Sequence, residues 1–153
     1  MTDMMPLMSL WLVFGGVTGV ILYDLGSEDK HHRSITYSQS AMFLTVQFVL
    51  WIILLFSYLF MGIFIGILSL ALYLFLSRKS KVRILMQADM EIFGFMYLSV
   101  FPIAAMTFLL YFGASIIRSR MGNRKPYPAL WYAFLCYCVA YGIFILLYFL
   151  VGG

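Results

Sequence analysis

The chain has 153 residues, 64% hydrophobic and 10% charged, which excludes a soluble domain of ordinary surface polarity and leaves no length for a separate catalytic or nucleotide-binding domain. Its net charge of +4 is carried by ten Lys and Arg gathered in short polar stretches, the pattern of membrane flanks on anionic lipid and not of a nucleic-acid surface. The expected class is all-α: a polytopic integral membrane protein with about four transmembrane helices, forming one domain over residues 1–153 with spans near 5–23, 41–76, 92–117 and 129–151.

The first span, Met5 to Tyr23, has Asp3 ahead of it and lacks the basic flank and small-residue cleavage site of a signal peptide, so it reads as a retained helix. Within it Gly15 and Gly19 stand four apart and predict a helix-packing face, where a neighbouring backbone comes close. The next stretch, Asp24 to Ser40, is polar, and Ser27 followed by Glu28 and Asp29 predicts an N-cap and the first turn of a short interfacial helix. Glu28 also stands three and four residues before His31 and His32, a spacing that can hold a metal. A di-iron site needs two such pairs and further carboxylates, and two adjacent histidines cannot ligate opposite sides of one haem. The expectation here is a solvated loop, with no metal and no cofactor.

Residues 41–76 form the longest apolar run, without one charged side chain. A continuous helix of that length would reach about 54 Å, against a hydrocarbon core of about 30 Å. No proline and no Asn-Gly pair interrupts it, which favours one overlong helix, tilted or protruding, over the alternative of an intramembrane hairpin with its tip at Ser57 to Gly62. Gly62 and Gly66 repeat the small-residue packing pattern, and Gln47 is an amide at membrane depth suited to an interhelical hydrogen bond.

Arg78, Lys79, Lys81 and Arg83 close the run as a membrane-surface flank expected to contact anionic lipid. A helix starting near Lys81 then leads into the third span, and pairing with the overlong second span predicts an antiparallel hairpin. Asp89 and Glu91 read as juxtamembrane ion-pairing groups. Pro102 falls near the middle of the third span and predicts a kink, with Ser99 and Thr107 as nearby hydroxyls. Arg118, Arg120, Arg124 and Lys125 form a second set of anionic-lipid contacts. The fourth span is dense in rings, with Trp131, Tyr132, Phe134, Tyr137 and Tyr141 in its first half, which read as interfacial belt and packing surface. Cys136 and Cys138, two apart on one helix, point in different directions and do not bridge.

With four simple spans the cations divide six to one side and four to the other, a bias that weakly puts both ends of the chain on the non-cytoplasmic side. Were the 41–76 run and the Pro102 segment both re-entrant, all ten would share one side. No phosphate loop, zinc-protease, dithiol or nucleophile-elbow motif occurs, no lysine lies inside a span, and neither histidine stands on a span beside a nucleophile. The expected function is therefore non-catalytic: an accessory or structural subunit of a larger membrane complex, acting through helix packing on other membrane subunits and through lipid contact. A small oligomeric transporter or channel and a membrane-shaping or lipid-binding hairpin protein are the alternatives.

Overall fold

The computed structural model describes residues 4–32, 37–79, 87–120 and 129–152. They form six helices: α1 (Met4–His32), α2 (Tyr37–Ser57), α3 (Leu59–Lys79), α4 (Gln87–Ser99), α5 (Phe101–Arg120) and α6 (Ala129–Gly152). Four of them, α1, α2, α5 and α6, are long and apolar enough to cross a membrane, and the apolar part of α3, Leu59–Phe75, is somewhat shorter. The chain is an all-helical, multi-pass integral membrane protein.

Helices α1 and α6 lie antiparallel along their length. Ser9 Oγ is 3.1 Å from Tyr148 Oη near one end, and Asp29 Oδ2 accepts from the Leu130 amide at 3.1 Å near the other. Contrary to the break expected after Tyr23, α1 continues to His32. Its lower part is held by α6: Leu25 is buried, and a Cβ at Gly26 would lie 3.1 Å from the Leu130 carbonyl oxygen. Ser27 therefore caps no new helix, and Asp29 caps the first turn of α6 instead, where a carboxylate is favoured by the exposed amides and the helix dipole.

The continuous helix expected over 41–76 is replaced by two helices that fold back on each other. Trp51 Nε1 donates to the Gly62 carbonyl at 2.9 Å, a pairing that no straight helix permits across eleven residues, which rise about 16 Å. The reversal spends one residue. The Tyr58 amide donates to the Leu54 carbonyl at 2.7 Å and the Tyr58 carbonyl accepts from Gly62 at 2.8 Å, so both helices close on Tyr58 without orphaning its backbone groups. That satisfaction is what lets a turn stand in an apolar medium.

Helices α4 and α5 repeat the device at Val100, whose amide donates to Met96 at 3.3 Å and whose carbonyl accepts from Ala104 at 2.8 Å. Phe93 and Tyr111 rings meet at 4.9 Å and Tyr97 and Phe108 at 6.4 Å, which places α5 back along α4. The chain thus reverses two residues before Pro102, and Pro102 stands in the first turn of α5, where its missing N–H costs no helical bond. Helix α4 also lies against α3 and α2, with Tyr73 and Phe95 rings 5.6 Å apart, and α5 lies against α6.

This topology gathers the helix ends. The C-termini of α1, α3 and α5 and the N-termini of α2, α4 and α6 share one end of the bundle. Lys30, Arg78, Lys79, Arg118 and Arg120 belong to those ends, and Arg33, Lys81, Arg83, Arg124 and Lys125 lie outside the described residues, in the sequence between them.

Candidate functional site

The middle of the bundle holds a small polar centre. Gln47 of α2 donates from Nε2 to Thr18 Oγ1 at 3.1 Å and accepts at Oε1 from the Ser99 hydroxyl, and the Thr18 and Ser99 hydroxyls are 3.5 Å apart. All three side chains are 0% exposed. An amide between two hydroxyls satisfies groups that would otherwise be costly in an apolar core. The triad ties three helices together at one level: Thr18 is the central residue of α1, Gln47 lies midway along α2, and Ser99 ends α4 beside the Val100 reversal. Thr107 is also buried and donates to its own helix, to the Ile103 carbonyl at 2.7 Å.

The triad sets the depth of each reversal. Ser99 meets Thr18, and a Cβ at Gly15 would fall 2.8 Å from the Ile103 side chain, so the α4–α5 tip stands at the middle of α1. Tyr58 lies eleven residues beyond Gln47, about 16 Å further toward the α1 N-terminus. The basic half of the bundle therefore contains parts of all six helices, and the opposite half only α1, α2, α3 and α6.

The four glycines assigned to helix packing all face neighbours within the chain. A Cβ at Gly15 would lie 2.6 Å from the Tyr141 ring and one at Gly19 3.1 Å from Tyr137, while one at Gly62 would meet Leu55 at 2.6 Å and one at Gly66 the Trp51 ring at 2.7 Å. The tyrosines that fill the α1 groove also bond its backbone: Tyr137 donates to the Gly15 carbonyl at 2.6 Å and Tyr141 to that of Leu12 at 2.8 Å. Three features escaped the sequence reading. Thr18 is an unremarked hydroxyl, Gly26 extends the Gly15 and Gly19 face by seven residues into a stretch taken for a loop, and Gly94 lets Tyr73 so close that an added Cβ would lie 3.1 Å from it. The seven-residue spacing of Gly26 was the available signal.

At the basic end, Lys30 Nζ lies 4.5 Å from the centre of the Trp131 ring and the Arg118 guanidinium 5.4 Å from that of Tyr132. Cation and ring together suit an interfacial level, where the apolar body and the charge each find their medium. Arg78 and Arg120 are exposed there. The side chain of Lys79 and the whole of Lys81, Arg83, Arg124 and Lys125 fall outside the described side chains, as do those of Asp89 and Glu91. Among the described residues no group of three or more His, Cys, Asp or Glu is placed to hold a metal ion. Cys136 and Cys138 are free thiols.

The α6 segment beyond Tyr141 differs from the rest of the bundle. Helix α5 packs on Ala133 and Cys136 of α6 and does not reach beyond Tyr141, so Ile143, Leu147 and Val151, which continue that face, are exposed. Comparison of the chain with protein-family models, with curated proteins and with solved structures finds no match.

Proposed function

We propose that this protein is a non-catalytic subunit of a larger membrane complex, and that a transmembrane helix of a partner subunit fills the sector above the α4–α5 tip. The observation that carries the reading is the bare upper half of α6. Ile143, Leu147 and Val151 recur at helical spacing on the continuation of the α5-facing side, where no described helix covers them, and Gly142 beside them leaves room for an incoming backbone to approach closely. The membrane-depth amide and its two hydroxyl partners spend their hydrogen bonds on each other, which speaks for packing and against a polar pathway. By the positive-inside rule the basic end faces the cytoplasm, where its Lys and Arg meet anionic lipid.

The test is a photo-crosslinker at Leu147, followed by gentle solubilisation and native mass measurement. One partner protein at fixed stoichiometry, crosslinked from Leu147 and not from Ile67 on the opposite hairpin, is the expected result. Adducts with lipid alone would overturn the reading.

A second reading rests on the six-against-four division of helices between the two halves. Such a body is wider in one leaflet and acts there as a wedge. It predicts tubulation or fragmentation of anionic vesicles by the purified chain at high density, and vesicles of unchanged shape would count against it.

A further inference from the structure

A cleft of about 450 Å³ opens toward the lipid between α2, α3 and α4, within the ~300–1,000 Å³ range of small-molecule sites. Its walls are aromatic: Phe48 and Trp51 on one side, with rings 5.7 Å apart, and Tyr73 and Phe95 on the other, with rings 5.6 Å apart. Trp51 Nε1 is already committed to the Gly62 carbonyl. Ser69, on the cleft lining, is not committed. Its side chain is 4% exposed and its hydroxyl has no hydrogen-bond partner among the described residues. Thr45 and Thr107 bond carbonyls four residues back in their own helices, each at 2.7 Å, the usual recourse of a helical hydroxyl, and Ser69 does not take it.

Depth narrows what can answer that hydroxyl. Ser69 is the central residue of α3, about 15 Å from either end and hence near the middle of a hydrocarbon core about 30 Å thick. The ester and phosphate oxygens of a diacyl lipid stay at the interface, and its chains bring only methylene groups to this level. An oxygen reaching Ser69 must ride on a molecule that dissolves in the core itself, and two aromatic walls favour a flat ring. We propose that this cleft binds a neutral isoprenoid or alkyl quinone, or a lipid of the same ring-carbonyl chemistry, with Ser69 Oγ donating to the ring carbonyl between the Phe48–Trp51 and Tyr73–Phe95 walls. The site lies away from the α6 face and does not depend on a partner subunit.

The experiment uses the full chain in phosphatidylcholine nanodiscs and a decyl-substituted benzoquinone labelled with carbon-13 at its carbonyls. Infrared difference spectra follow the carbonyl band during titration. The expected result is a band moved to lower frequency that saturates at one quinone per chain. Ser69→Ala removes that band and weakens binding about fivefold, the loss of one hydrogen bond; Ser69→Thr keeps both. Ser69→Ala also folds at least as well as the parent, because it deletes a buried hydroxyl that lacks a partner. Leu70→Phe, at the mouth of the cleft, weakens binding and leaves elution and helicity unchanged. Titration that never saturates, or a lowered band that persists in Ser69→Ala, overturns the assignment. So does displacement of the quinone by dodecane as readily as by unlabelled quinone, the outcome for a plain hydrocarbon slot.

Discussion

The α2–α3 and α4–α5 hairpins both turn on one residue, yet the first runs on toward the far end of α1 and the second stops at its middle. Their closures differ in kind. Helices α2 and α3 meet through Gly62 and Gly66, where Leu55 and Trp51 fill the space a Cβ would take, so the pair is locked by steric fit. Helices α4 and α5 meet through Phe93, Tyr97, Phe108 and Tyr111, and the end of α4 is fastened to α1 and α2 by the Ser99 hydroxyl. The first hairpin closes on glycines, and the second closes on rings and carries a polar anchor at its tip.

The largest expected effect is on accessibility, because it separates the two tips outright. With Cys136 and Cys138 replaced by alanine, Tyr58→Cys reacts with a membrane-impermeant maleimide from the side opposite the one that labels Arg120→Cys, and Val100→Cys reacts from neither. Labelling of Tyr58→Cys from the Arg120 side would return the first hairpin to half depth and remove the contrast. Next in size is the steric lock. Gly62→Leu presses on Leu55, whose Cα would lie 3.0 Å from the new Cβ, and should cost about 3 kcal/mol, the upper range for overpacking, read as a lower unfolding midpoint in detergent titration. Gly142→Leu, with nothing within 4 Å, should leave that midpoint unchanged. The smallest effect is at the polar anchor. Gln47→Leu removes the amide that both the Thr18 and Ser99 hydroxyls bond and should cost about 1 kcal/mol, typical of interhelical hydrogen bonds in membranes. Its sharper signature is local: faster hydrogen exchange around Met96 to Ala104, with Leu54 to Gly62 unaffected.

Much of this architecture is legible in the residues. The helical class, the apolar segments and the basic flanks follow from composition and run length, and the α3–α4 pairing from the flank between them. The Gly15, Gly19, Gly62 and Gly66 faces were visible as spacing. The reversal at Tyr58 was not, because the usual turn residues mark turns made in water. Glycine, proline and asparagine there supply backbone geometry and solvated groups, whereas Tyr58 hands its amide to one helix and its carbonyl to the next. The clue was arithmetic, an apolar run nearly twice the length of a span. Pro102 announced an interruption and left open whether the chain would bend or return, since the answer lies in Phe93 meeting Tyr111 eighteen residues on. Asp29 misled for a related reason: its carboxylate serves the first turn of α6, which only the assembled bundle brings to it.

Both reversals are free of ionised side chains, and this bears on how the chain enters a membrane. Between Ala41 and Leu76 and between Ile92 and Ile117 there is no Lys, Arg, Asp or Glu. Threading a hairpin through from the basic face therefore carries no charge past the bilayer centre, where each Lys or Arg adds about 3 kcal/mol on insertion scales. Nor does it do work against a membrane voltage, which is ~2.3 kcal/mol per elementary charge for every 100 mV. Insertion of these two pairs is electrically silent, and it should proceed equally well in energised and de-energised vesicles.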